Sequence, residues 1–201
     1  MRRQSRWEAK VAADPEHSHW YVERFRTMRA EGADLAGEAR MVDAMVPRGS
    51  RVLDAGCGPG RVGAELAARG HDVVGVDVDP VLIEAAEADH PGPRWVVGDL
   101  AELDLAAQGI TDPFDVIVCA GNVMTFLADG THRDVLAGFA AHLAPEGRAV
   151  VGFGAGRGYA FETFFADVEG AGLRLDVALG TWDLRPFTPR SDFLVAVLTR
   201  A

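Results

Sequence analysis

The sequence predicts an α/β fold: a mostly parallel, doubly wound sheet with an antiparallel strand at its C-terminal edge. Three observations carry this. Short apolar runs alternate with helical stretches from residue 51 to residue 171. Two of the runs, VIVCA (116–120) and AVVGF (149–153), are apolar throughout, the pattern of strands covered on both faces. The chain then closes with two apolar runs, 173–182 and 192–200, joined by LRPFTPR, which reads as a hairpin.

Taken in order, the chain opens on MRRQSRWEAK. Its cations Arg2, Arg3, Arg6 and Lys10 are interrupted by Glu8, and the stretch reads as a frayed, solvated terminus. No apolar segment follows it, so no secretory signal is expected. A helical segment over 17–45 comes next, with Phe25, Met28, Leu35, Met41, Val42 and Met45 at helical spacing and a break near Gly32. After Pro47–Ser50, the strands are RVLDAG (51–56), DVVGVD (72–77), RWVVGD (94–99), FDVIVCAG (114–121) and GRAVVGF (147–153). Helices are expected over Arg61–Arg69, Pro80–Ala88, His132–Leu143 and 160–171, with a short or irregular one in 100–110. Asp79, just before Pro80, is an N-cap by type and position. Asp72 and Asp115 start strands and read as solvated turn acids. No repeat or linker divides the chain, so residues 1–201 are expected to form one domain, with 1–45 as a helical cap and 46–201 as the core.

The formal net charge of -10 argues against a nucleic-acid partner. No run approaches the roughly 20 apolar residues of a membrane span. The two cysteines, Cys57 and Cys119, lack paired spacing, so neither a disulfide framework nor a metal site is expected, and a cytoplasmic setting is the default. Cys57 reads as a small loop filler and Cys119 as a buried strand residue.

The stretch VLDAGCGPGR (52–61) holds the chemistry. Gly56, Gly58 and Gly60 lie between a strand and a helix, where glycine lets a ligand approach the backbone. The GxxxxGK[ST] spacing of a triphosphate loop is missing. The dinucleotide fingerprint GxGxxG would need a glycine where Arg61 stands, and Gly63 comes two positions later. Asp77 ends the second strand, where a carboxylate can accept from both ribose hydroxyls. Asp99, after the third strand, can accept from an adenine amino group. Asp54, just ahead of the glycines, would repel a pyrophosphate and stabilise a cationic ligand. That contrast favours a sulfonium nucleoside over a dinucleotide.

The ordered set VLDAGCGPG, VGVDVDP, VVGDL and LAPEGRAVV resembles the motifs of class I S-adenosylmethionine-dependent methyltransferases, over about residues 45–155. The resemblance implies a Rossmann-like seven-stranded sheet of order 3-2-1-4-5-7-6. It implies S-adenosylmethionine as methyl donor and S-adenosylhomocysteine as product. Gly56, Gly58 and Gly60 would pass close to the methionine part and Asp77 would hold the ribose. Asp99 and the Leu100 amide would bond the adenine, which Val78 and Leu100 would sandwich. The Ala120 carbonyl would take the methionine ammonium, with Asp54 behind it.

Methyl transfer from a sulfonium needs alignment and a dry cavity more than a catalytic triad. In small members of this family a helix ahead of the first strand closes the acceptor pocket. The start of that helix, Trp20-Tyr21-Val22-Glu23-Arg24-Phe25, is similar to tellurite-resistance-type and thiol-methyltransferase-like members. Tyr21 and Arg24 are therefore candidates for the cofactor carboxylate or the acceptor, since an Arg fork suits a carboxylate. Trp20 and Phe25 could equally pin the helix to the core. Asn122, after the fourth strand, both donates and accepts, and is similar to the Gly-Asn of some glycine and sarcosine N-methyltransferases. The loops 153–159 and 181–185 face the same mouth, and Trp182 could instead be a core residue. His19 and His17 are the histidines to test as bases; His71, His90, His132 and His142 read as surface groups. The acidic chain lacks an added recognition domain and the Asn-Pro-Pro-Tyr-type motif of DNA methylation, which points to a small-molecule acceptor. A cofactor-binding protein without catalysis and an NAD-dependent oxidoreductase are the alternatives.

Overall fold

The computed structural model describes residues 2–201. Seven strands form one sheet of order β3-β2-β1-β4-β5-β7-β6. They are β1 (Arg51–Ala55), β2 (Asp72–Asp77), β3 (Arg94–Val97), β4 (Phe114–Cys119), β5 (Leu143–Gly154), β6 (Leu173–Leu179) and β7 (Phe193–Arg200). β1 to β5 pair in parallel, and β7 runs antiparallel to both β5 and β6. The order and the antiparallel C-terminal edge match the expectation from the motifs.

Side chains alternate between two apolar layers, as the pleat requires. Leu53, Val76, Ile117 and Val151 face α6 (His132–His142) and α7 (Phe161–Gly170) through Leu136, Phe139 and Phe164. Val52, Val73, Val118 and Val150 face α3 (Gly37–Met45) and α4 (Arg61–Ala68) through Val42, Val62 and Leu66. Beyond them, α5 (Pro80–Asp89) covers Trp95 with Ile83 and Ala86. Two packed faces explain why the strands read as unbroken apolar runs.

Trp95 needs a hollow, and three glycines supply it. A Cβ on Gly75 of β2 would stand 2.3 Å from the indole, and one on Gly60 or Gly63 would stand 2.9 Å from it. A side chain on Gly60 would thus run into a buried ring. Gly152 does the same for Trp182, 2.3 Å from a built Cβ, and Trp182 is indeed a packing residue of the sheet.

The N-terminus departs most from expectation. It is not frayed: residues 6–13 form α1 (Arg6–Ala13), and Trp7 is buried. Ser5 and Glu8 close a capping box, each accepting the other's backbone N–H. The segment 17–45 is two helices, α2 (His17–Ala30) and α3, with the break over residues 31–36. The stretch 100–110 holds two 3-10 turns, Leu100–Glu102 and Ala106–Gln108. β5 starts at Leu143, earlier than its apolar run, because an irregularity lets Leu143 pair with Phe114 ahead of the main ladder. Gly147 is needed there, since a Cβ would stand 2.7 Å from the Phe114 carbonyl oxygen. Among the described residues, no helix is long and apolar enough to cross a membrane.

Candidate functional site

A cavity of about 380 Å³ opens at the carboxyl ends of β1 to β4, within the size range of small-ligand sites. Its floor is the loop after β1, with Gly56, Cys57 and Gly58 lining it beside Asp54. Asp77 and Val78 come from the end of β2, Asp99 and Leu100 from the end of β3, Ala120 and Asn122 from the end of β4. The roof comes from the N-terminal helices through Trp7, Tyr21, Arg24 and Phe25. Every residue expected to touch the cofactor, Gly60 excepted, therefore lines one cavity.

Gly58 shows why this loop must be glycine. Its φ is +54°, and a Cβ there would point to the Tyr21 ring at 3.6 Å, into the space between floor and roof. The Gly58 N–H donates to Asp77 Oδ2 at 2.8 Å, and the Asp79 N–H donates to Asp77 Oδ1 at 3.0 Å. Burial pushes the Asp77 carboxyl up to about 6, against the pull of those N–H donors. Asp54 accepts from the Gly63 N–H at 2.8 Å, and burial pushes it up to about 7. Two buried carboxyls side by side, each reluctant to ionise in this fold, form a seat for a cation. A wall for a polyphosphate would need the opposite charge.

Asp79 is an N-cap, as expected, accepting from the Val81 N–H at 2.9 Å. It is also the point to which the roof is tied. Its Oδ2 accepts from Trp7 Nε1 at 2.8 Å and from the Ser18 hydroxyl, so α1 and α2 share one buried carboxylate. The Asp79→Asn variant would turn an acceptor into a donor facing two donors. An unsatisfied buried group costs about 1–3 kcal/mol. Amide exchange over residues 6–30 should rise by about tenfold or more, with the amides of β1 and β4 unchanged. Uniform protection in both regions would show that Asp79 does not hold the roof.

Further along the mouth, Arg2 donates to Asp99 Oδ2 at 2.8 Å and also pairs with Glu8, holding Glu8 down to about 2. Arg6 pairs with Asp129 at 2.6 Å. Residues 2–7 thus run across the ends of the strands, and Ser5 and Trp7 of this strap line the cavity. Sequence reasoning did not find Trp7 or Arg2. Arg61 was seen only as a missing glycine; it lines the cavity, forked onto Glu38 and under the Phe25 ring at 5.6 Å.

The proposed acceptor-side residues divide. Tyr21 faces the cavity, and burial raises its pKa, so at neutral pH it is a hydrogen-bond donor and not a base. Asn122 sits at φ +66°, tolerable for Asn, with Oδ1 accepting from the Gly154 N–H at 2.8 Å. His19 is not brought to the cavity. It lies in a shallow depression between α2 and α5 with Glu23, Arg26 and Glu84, because the 100° helical step turns it away from Tyr21. His17 stacks on Trp20 instead of lining the cavity. His71 and His132 are buried rather than surface groups; His71 bonds Asp43 and His132 the Met124 carbonyl. Of the loop 153–159, Arg157 reaches the cavity, while Tyr159 is buried and donates to Asp167 at 2.8 Å. The 181–185 loop does not reach it.

Similarity to known proteins agrees with this geometry. The family profile described as a methyltransferase domain matches residues 52–147. The magnesium-protoporphyrin O-methyltransferase of Rhodobacter capsulatus is 37% identical over 98 residues, 44% of each chain. An uncharacterized methyltransferase of Mycobacterium tuberculosis is 42% identical over 81 residues, 39% of each chain. The match therefore spans less than half the length of these curated relatives. A TehB-like SAM-dependent methyltransferase from Corynebacterium glutamicum has a crystal structure that superposes with a TM-score of 0.88. It is 50% identical, with 94% of this chain and 100% of that chain covered. Identity at this level over a whole relative reflects kinship as well as shape, and the chain belongs to the class I S-adenosylmethionine-dependent methyltransferases.

Proposed function

We propose that the protein transfers a methyl group from S-adenosylmethionine to a small-molecule acceptor by direct displacement. The observation that carries this reading is the single cavity joining Gly58, Asp77, Asp99 and Ala120 on the floor to Tyr21 and Arg24 on the roof. The residues fit the cofactor. Gly58 leaves the space a side chain would fill, and Asp54 and Asp77 offer buried negative charge to a cationic ligand. Asp99 has one protein donor on each oxygen, which leaves acceptor capacity for an adenine amino group.

When bound, the cofactor supplies an electrophilic methyl whose bond to sulfur breaks as the acceptor's lone pair forms the new bond. The chain's own residues bind, orient and exclude water. Asp77 takes the ribose hydroxyls, Val78 and Leu100 flank the adenine, and Ala120 and Asp54 serve the ammonium. Arg24 takes the carboxylate: among the described residues no carboxylate lies within 4.0 Å of its guanidinium, which lies 5.8 Å from the Trp20 and Phe25 ring centres. Tyr21 and Asn122 position the acceptor, and the roof helices act as its cap.

Calorimetry with S-adenosylhomocysteine should show one site with micromolar or tighter affinity. Absence of binding at high micromolar concentration would sink the proposal. Tight binding of the cofactor without transfer to any acceptor would move the chain to the cofactor-binding, non-catalytic reading.

A further inference from the structure

The geometry points to an acceptor that carries a carboxylate, held by Arg157 beside Asn122, with the methyl going to a different atom of the same molecule. This deepens the methyl-transfer reading and rests on it.

The chain holds 30 acids against 20 basic residues, and most arginines around the mouth are paired. Arg2 takes Asp99, Arg6 takes Asp129 and Arg61 takes Glu38. Arg157 lines the cavity, and among the described residues no carboxylate lies within 4.0 Å of it. Its backbone is fixed where its carbonyl accepts from Arg6 Nη1 at 3.4 Å. Its side chain folds back over Gly154 at the end of β5: a Cβ there would stand 3.3 Å from Arg157 Nε and 3.5 Å from Asn122 Oδ1. Glycine at 154 thus leaves room for the exposed Arg157 side chain and the Asn122 amide to share its open side.

Asn122 Oδ1 is already committed to the Gly154 N–H. Its Nδ2 donates to no protein group among the described residues, so that amide N–H and the guanidinium both have donors to offer a ligand. A planar fork next to an amide N–H matches a carboxylate. Val123, Phe126 and Leu127 continue the same wall and suit an apolar or aromatic body. A carboxylate whose lone pairs are drawn into charge-assisted bonds is a poor nucleophile. It is therefore the handle, and an amine, hydroxyl or thiol elsewhere on the molecule forms the new bond to the methyl as the methyl–sulfur bond breaks, leaving the thioether S-adenosylhomocysteine and releasing the acceptor's proton to solvent at the cavity mouth. The cofactor's own carboxylate has a second arginine of the same cavity, Arg24, to take it.

The test uses the full chain and S-adenosylmethionine with a labelled methyl. The probes are amino-, hydroxy- and mercaptobenzoates, each beside its primary amide. The acids should be methylated with kcat/KM at least tenfold above the amides. Arg157→Ala should raise KM for the acids by tenfold or more and leave S-adenosylhomocysteine affinity unchanged, and Arg157→Lys should recover part of the loss. Three results overturn the inference: amides used as well as acids, no acid methylated, or KM unchanged in Arg157→Ala. If wild-type protein binds S-adenosylhomocysteine but shows no preference for acids, the acceptor inference alone fails. If it binds none, the methyl-transfer reading fails first.

Discussion

Replacing Asp77 with alanine is expected to weaken S-adenosylhomocysteine binding by about 100-fold or more. A carboxylate bonded to two hydroxyls contributes about 1.5–3 kcal/mol per charge-assisted bond, and the alanine loses both. It also frees the Gly58 N–H, which now donates to Asp77 at 2.8 Å and ties the floor loop to the end of β2. Asp77→Asn keeps an acceptor for that N–H and should lose less, about tenfold. The empty protein should still fold in both variants, because burial makes the ionised Asp77 a cost to the ligand-free state. Calorimetric affinities, with a melting curve for each variant, check this. Unchanged affinity in the alanine variant would remove Asp77 from the ribose site.

Cofactor affinity should also climb as pH rises from about 5.5 to 8. In the empty site Asp54 is pushed up to about 7 and Asp77 up to about 6, burial being the main cause in each. A cationic ligand favours the ionised forms, so both groups release protons as it binds. Below pH 6 that release opposes binding by up to about 1.4 kcal/mol per pH unit per group. S-adenosylmethionine, with its sulfonium charge, should show a steeper dependence than S-adenosylhomocysteine. The sign for the empty protein is opposite. Unfolded carboxyls titrate near 4, so between pH 4 and 7 the folded state holds more protons than the unfolded state. The stability contributed by these two groups therefore falls as pH rises through that window and levels off above 7. Calorimetry in buffers of different ionisation enthalpy counts the protons. A flat affinity between pH 5.5 and 8 would contradict this account.

The sheet was legible because each strand is a short apolar run ending in a turn residue, and the meeting of the strand-end residues in one cavity was legible for the same reason. Asp54, Gly58, Asp77 and Asp99 sit at strand ends, where the topology converges whatever the helices do. Of the roof, Tyr21 and Arg24 were legible, but α1 and the strap ahead of it were not, because their contacts are remote in sequence. Trp7 reaches Asp79, 72 residues away, Arg2 reaches Asp99, 97 away, and Arg6 reaches Asp129, 123 away. One local signal existed. Ser5-x-x-Glu8 is a capping box, and Glu8, which breaks the basic run, is half of it. His19 shows the converse: its type suited a base, but one helical step decides which face it occupies. Gly60 shows that a glycine beside a ligand loop can answer to a neighbour behind it.

That neighbour, Trp95, constrains how this site could change over generations. Gly60 belongs to the loop, Gly63 to α4 and Gly75 to β2, and all three yield to one indole. No one of them can gain even a methyl group while the ring is present, since the nearest gap is 2.9 Å or less. The indole is therefore the tightest neighbour each of them has, and any larger residue at these positions requires the ring to move or shrink. Until it does, a ring buried behind the loop preserves the shape of a site it never touches.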